Sequence, residues 1–122
     1  MITTSLRRPD ATLYCDSLGH GQDILLLHAG GERRRVWHPV MIYLADRGCR
    51  CVAYDQRGHG ESGGGRPSSV TAFGEDTVDM ISQLRMPLVV GASLGGFAAL
   101  LAGFLQSDVV RDRQGRKRGE RG

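Results

Sequence analysis

Leu88-Val89-Val90-Gly91-Ala92-Ser93-Leu94-Gly95-Gly96, residues 88–96, decides the fold of this 122-residue chain. The three apolar residues after Pro87 mark the start of a short apolar strand. Residues 94–105 are small or apolar, and the pattern predicts a helix there. Between the two stands G-x-S-x-G. A turn this tight holds Ser93 in a strained backbone conformation and lifts its hydroxyl above the end of the sheet. Gly91 and Gly95 are needed because a Cβ on either would collide across the turn. Gly96, Ala98 and Ala99 let the helix approach the strands, and its N-terminus favours negative charge developing beside Ser93. A Gly/Ser turn that only connects two elements is the competing reading. The strand-to-helix setting disfavours it.

Working outward, residues 23–28 (DILLLH) form a second apolar run, and residues 49–54 (CRCVAY) a third, ending at Asp55. Residues 11–18 alternate loosely and read as a further strand. Trp37, Val40, Met41, Leu44 and Ala45 recur at helical spacing over 37–47, with Gly48 as the stop. Phe73, Thr77, Met80, Ile81 and Leu84 do the same over 72–85. Glu75 and Asp76 are expected in the first turn of that helix, where its dipole favours acids. The Gly- and Pro-rich residues 56–69 are loop. Strands alternating with helices predict an α/β class, a mostly parallel sheet with helices flanking it.

With 40% hydrophobic residues the chain can build one core, which argues against general disorder. The net charge of +3 comes from the end of the chain. Residues 1–110 carry ten Arg against eleven acids, whereas residues 111–122 carry six basic residues against two acids. Apolar patterning stops at Gln106, so the expected organisation is a globular part over 1–105 and an Arg/Gly-rich disordered tail over 106–122. The tail lacks interleaved aromatics, and no nucleic-acid partner is expected. Cys15, Cys49 and Cys51 have no C-x-x-C spacing, so neither a metal nor a disulfide framework is expected. Cys49 and Cys51 fall on one side of their strand, as small hydrophobes do. No signal-peptide stretch or membrane span is visible, and a cytoplasmic setting without a membrane partner is the default.

Three segments, LLLHAGG (25–31), YDQRGHGES (54–62) and VVGASLGG (89–96), together resemble the α/β-hydrolase family over residues 11–104. The resemblance implies a partial α/β-hydrolase fold whose C-terminal strands are absent from the chain. It also implies Ser93 as nucleophile, with an oxyanion hole from the backbone N–H groups of Leu94 and Gly30. His28 is then a packing and hydrogen-bonding element of the loop, and Ala29 stands where many relatives have Gly. Asp55 and Arg57 shape a structural loop at the end of their strand. A serine at position 93 argues against the epoxide hydrolase and haloalkane dehalogenase branches, which use aspartate there. Esterases, lipases, thioesterases, amidases and cofactor-free haloperoxidase-like members remain, with a small ester-like substrate and no cofactor.

In that family the triad runs Ser, then Asp or Glu, then His along the chain. Here all four histidines, at 20, 28, 38 and 59, precede Ser93, and the acids after it are Asp108, Asp112 and Glu120. A serine without a base is a poor nucleophile at neutral pH. The expectation is therefore a chain interrupted after its nucleophile turn, with a catalytically inactive pseudoenzyme or partner-binding fragment as the alternative. The strand before Gly91 should have an open edge, which favours self-association. G-x-G-x-x-G at 58–63 runs into Gly64-Gly65-Arg66-Pro67 instead of opening a helix, which disfavours a dinucleotide site. Arg33-Arg34-Arg35 reads as a solvated loop face rather than a site for an acidic substrate group.

Overall fold

The computed structural model describes residues 1–63 and 70–113, with side chains as far as Gln106. Five strands and three helices run in the order β1 (Ile2–Arg8), β2 (Ala11–Gly19), β3 (Gln22–Leu27), α1 (His38–Ala45), β4 (Cys49–Tyr54), α2 (Thr71–Ser82), β5 (Leu88–Gly91) and α3 (Leu94–Arg113). A 3-10 turn over Arg34–Trp37 leads into α1, whose first turn takes Pro39. The strands form one sheet in the order β1-β2-β4-β3-β5.

The α/β class stands, and the sheet is mixed. β3 pairs in parallel with β4 and with β5, while β1–β2 and β2–β4 are antiparallel. The antiparallel part begins with β1, which sequence reading did not identify as a strand. Its residues ITTSLRR are mostly exposed and show no inward apolar alternation. Full-length pairing with β2, from Ile2 opposite Ser17 to Arg8 opposite Ala11, makes it a strand.

The apolar runs of β3 and β4 are buried on both faces, as their continuity predicts, whereas Leu88 and Val90 of β5 are exposed. Ile24 and Leu26 meet Met41 of α1, together with Cys51 and Ala53, on one face. Leu25 and Leu27 meet Phe73 and Met80 of α2 and Ala98 of α3, with Val52 and Tyr54, on the other. Cys51 packs as a small hydrophobe and Cys49 lies against the same cluster. Burial raises the Cys15 thiol to about 11.

Three charged residues sit where the sequence reading did not put them. Neither Glu75 nor Asp76 lies in the first turn of α2; Glu75 is exposed, and Asp76 is 1% exposed and does not serve the helix dipole. It accepts Arg57 Nε at 2.7 Å and Nη2 at 2.8 Å, and Arg8 Nε at 3.0 Å. Arg34 is not part of a solvated face either. Its guanidinium reaches Asp55 at 2.5 Å and Glu61 at 2.6 Å, and lies 3.0 Å from Asp16 as an ion pair. Burial favours neutrality at Arg34, but Glu61, Asp16 and Asp55 outweigh it and hold the guanidinium charged. Arg33 and Arg35 are the exposed members of the triplet.

Helix α3 runs to Arg113, past the expected boundary at 105–106. Residues 114–122 of the expected tail, and 64–69 of the long loop, lie outside the described residues.

Candidate active site

The chain crosses from β3 to β4 through α1 on one face, and from β4 to β5 through α2 on the other. The carboxyl ends of β3 and β5 therefore lie where the winding reverses, the usual ligand position of an open α/β sheet. Two loops meet there, the turn after β5 and the loop after β3.

The turn after β5 is Ala92-Ser93. Ser93 has φ +53° and is exposed, while the helix begins at Leu94. Left-handed backbone is disfavoured for a residue with a Cβ, so the surroundings must enforce it. Ala92 N–H donates to the Leu27 carbonyl at 3.1 Å, tying the turn to β3. Gly95 N–H donates to the Ala92 carbonyl at 2.9 Å, and Phe97 N–H to that of Ser93 at 3.0 Å. Packing does the rest. A Cβ on Gly91 would lie 2.4 Å from the Gly95 carbonyl, and one on Gly95 would lie 2.4 Å from the Leu27 oxygen. The helix thus begins in contact with both strands, and Ser93 is left at the rim.

Leu94 is the first residue of α3, so its N–H has no acceptor within the helix. The loop after β3 passes beside it. A Cβ built on Gly30 would sit 3.7 Å from the Leu94 Cβ, ordinary contact distance. The structure therefore brings Ser93, Leu94 and Gly30 together at one end of the sheet.

His28 stands apart from that group in its bonding. It is fully buried; its Nε2 faces the Gln56 N–H at 3.0 Å and its Nδ1 the Ala29 carbonyl at 2.7 Å. An imidazole that accepts at Nε2 and donates from Nδ1 is neutral, and burial holds its pKa below the ordinary value. His59 contacts the His28 ring at 5.0 Å between centroids and places Nδ1 3.0 Å from the Arg57 carbonyl. His38 Nε2 lies 2.6 Å from Asp16. Burial pushes Asp16 up, but bonds from Thr3, His38 and Arg34 outweigh this and hold it below the usual carboxylate range. Asp55 shapes the corner beyond β4. Its two oxygens accept the N–H of Arg34 at 2.6 Å and of Glu61 at 2.9 Å.

Sequence reasoning passed over Gln56, which bonds both to the His28 ring and to its carbonyl. The available signal was its place between Asp55 and Arg57 in YDQRGHGES. Among the described residues no helix is long and apolar enough to cross a membrane.

The model of the Alpha/beta hydrolase family matches residues 24–118. A Mycobacterium tuberculosis protein provisionally named non-heme bromoperoxidase BpoC is 33% identical over 91 residues, covering 71% of this chain and 34% of its own length. The 3-oxoadipate enol-lactonase 1 of Acinetobacter baylyi is 31% identical over 86 residues, covering 69% of this chain and 32% of the lactonase. A laboratory-evolved variant of the potato epoxide hydrolase StEH1 superposes with a TM-score of 0.70 at 28% identity, covering 80% of this chain and 33% of that one. The chain spans about a third of the length of the curated relatives it matches.

Proposed function

Since the chain belongs to the Alpha/beta hydrolase family, we propose that it carries the nucleophile part of a serine hydrolase acting on an ester-like carbonyl. Ser93 attacks the carbonyl carbon, and the N–H groups of Leu94 and Gly30 hold the oxyanion of the tetrahedral intermediate. The observation that carries this reading is the backbone of Ser93, left-handed at φ +53° between a parallel strand and a helix. Such strain persists only where packing enforces it, and here Gly91 and Gly95 do so. The likeness to an enol-lactonase, whose name denotes an ester-like substrate, supports acyl chemistry. The likeness to an epoxide hydrolase supports the fold, while serine at position 93 separates this chain from an aspartate nucleophile.

A second reading has its own support. His28, His38 and His59 are each bonded to other groups, so within the described residues Ser93 is not furnished with a base from them. On this reading the 122 residues alone are an inactive fragment that binds a partner, and the edge of β5 that pairs with no strand among the described residues is where copies self-associate. A reducing, cytoplasmic setting accords with three free cysteines.

A fluorophosphonate probe with intact-mass detection, run beside p-nitrophenyl acetate hydrolysis, separates the two. The hydrolase reading expects one adduct, mapped to Ser93 and lost in Ser93→Ala, together with turnover. A folded chain that takes no adduct and shows no turnover selects the inactive fragment.

A further inference from the structure

The loop from His28 to Arg34 carries Gly30, and both of its ends are tied to two consecutive residues beyond β4. At the near end, Gln56 N–H donates to His28 Nε2 at 3.0 Å, and Gln56 Nε2 donates to the His28 carbonyl at 2.8 Å. The His28 ring passes the restraint on, because its Nδ1–H donates to the Ala29 carbonyl at 2.7 Å. At the far end, Arg34 N–H donates to Asp55 at 2.6 Å. Between them Glu32 closes a turn, its N–H donating to the Ala29 carbonyl at 3.1 Å and its carboxylate accepting the Ala29 N–H at 3.2 Å.

The two tethers differ in what else they do. Asp55 also takes the Arg34 guanidinium and the Glu61 N–H, so its loss would disturb the whole corner. Among the described residues the Gln56 side chain donates only to the His28 carbonyl. It is 1% exposed, and its Oε1 is buried without a hydrogen-bond partner among the described residues. An amide kept in the interior with half its capacity unused costs stability. What that amide secures is the position of a single backbone carbonyl at the root of the Gly30 loop.

We propose that Gln56 is a positioning residue for the oxyanion site: it fixes His28, and His28 fixes the loop that keeps Gly30 beside Leu94. The chemical meaning rests on the serine-hydrolase reading, whereas the mechanical claim stands on the geometry alone. The near-isosteric Gln56→Met in the full chain removes the donor and leaves the backbone bond to Nε2 available. The ¹⁵N order parameter of Gly30 should fall from the rigid range near ~0.85 toward ~0.6, with Arg34 and β3 unchanged. Fluorophosphonate labelling of Ser93 should slow by about tenfold, a loss that a purely structural role at unchanged melting temperature would not produce. In the wild-type chain ¹⁵N shifts should report His28 as the Nδ1–H tautomer. If Gln56→Met unfolds the chain, His28→Gln is read in the same way. Gly30 as rigid in the variant as in the wild type, or an Nε2–H tautomer at His28, overturns the proposal. A wild-type chain that does not label overturns the hydrolase reading instead, and the order parameter still decides whether Gln56 holds the loop.

Discussion

Gly95 shows how much of the site depends on the absence of single atoms. An added Cβ would meet backbone of Leu27 at 2.4 Å, and neither the strand nor the helix start can give way cheaply. Gly95→Ala should therefore destabilise the chain by about 3 kcal/mol, at the upper end of overpacking costs, in urea unfolding. Gly63→Ala, where a Cβ meets nothing within 4 Å among the described residues, should stay within about 0.5 kcal/mol. His28 carries a pH consequence. Burial lowers its pKa in the folded chain, so the unfolded chain takes up a proton near the ordinary 6.5 while the folded chain does not. Its contribution is complete above that value and is lost as pH falls through it. The urea midpoint should drop between about pH 7 and pH 5, and His28→Gln should flatten that drop. At this scale Ser93, Gly91 and Gly95 were legible, since a steric rule ties each to a fixed place in one pentapeptide. Gln56 was not, because its role depends on His28, 28 residues away.

Among the elements, α2 is held to the N-terminal hairpin by charge as well as by Phe73 and Met80. Arg57 grips Asp76 with Nε and Nη2 and Asp10 with Nη1 and Nη2, while Arg8 adds bonds to Asp76 and Asp79. Arg57 and Asp76 are both buried, so removing the guanidinium leaves Asp76 in the interior with the Arg8 Nε bond on one of its oxygens. Arg57→Ala should cost about 3 kcal/mol, the lower end of the penalty for breaking a buried pair, because Arg8 still balances part of the Asp76 charge. Hydrogen exchange should show α2 amides losing protection before those of β3 and β4. The sequence made β3 and β4 readable because a strand buried on both faces needs a continuous apolar run, and β5 because its short apolar run leads into the G-x-S-x-G turn. The same logic hid β1, whose outward residues obey no pattern and whose structure comes from pairing with β2. It also misread Asp76 and Arg34. Charged residues look solvent-facing until their partners, distant in sequence, are known.

For the molecule as a whole, β5 is the decisive boundary, since among the described residues it pairs with β3 on one side and its other side is an open edge. Leu88 and Val90 are 60% and 45% exposed, and α3 presents Phe97, Leu100 and Phe104 at 42%, 61% and 67%. A short apolar edge without a charge of its own is what natural sheets avoid presenting to water. The relatives it matches are about three times as long as the stretch it covers, which gives such a surface an origin in the fold. Alone in solution the chain should therefore self-associate, with sedimentation velocity showing a weight-average mass that rises with concentration. Val90→Lys places a charge on the edge while leaving the β3 ladder intact, and it should shift that mass toward the monomer. A companion change at Leu100→Glu tests the helix face separately, because the two positions lie on different elements and their effects should add. If the wild-type chain stays monomeric at high micromolar concentration, the edge is protected by something other than another copy. Self-association would then have to be abandoned as the reading of the exposed seam.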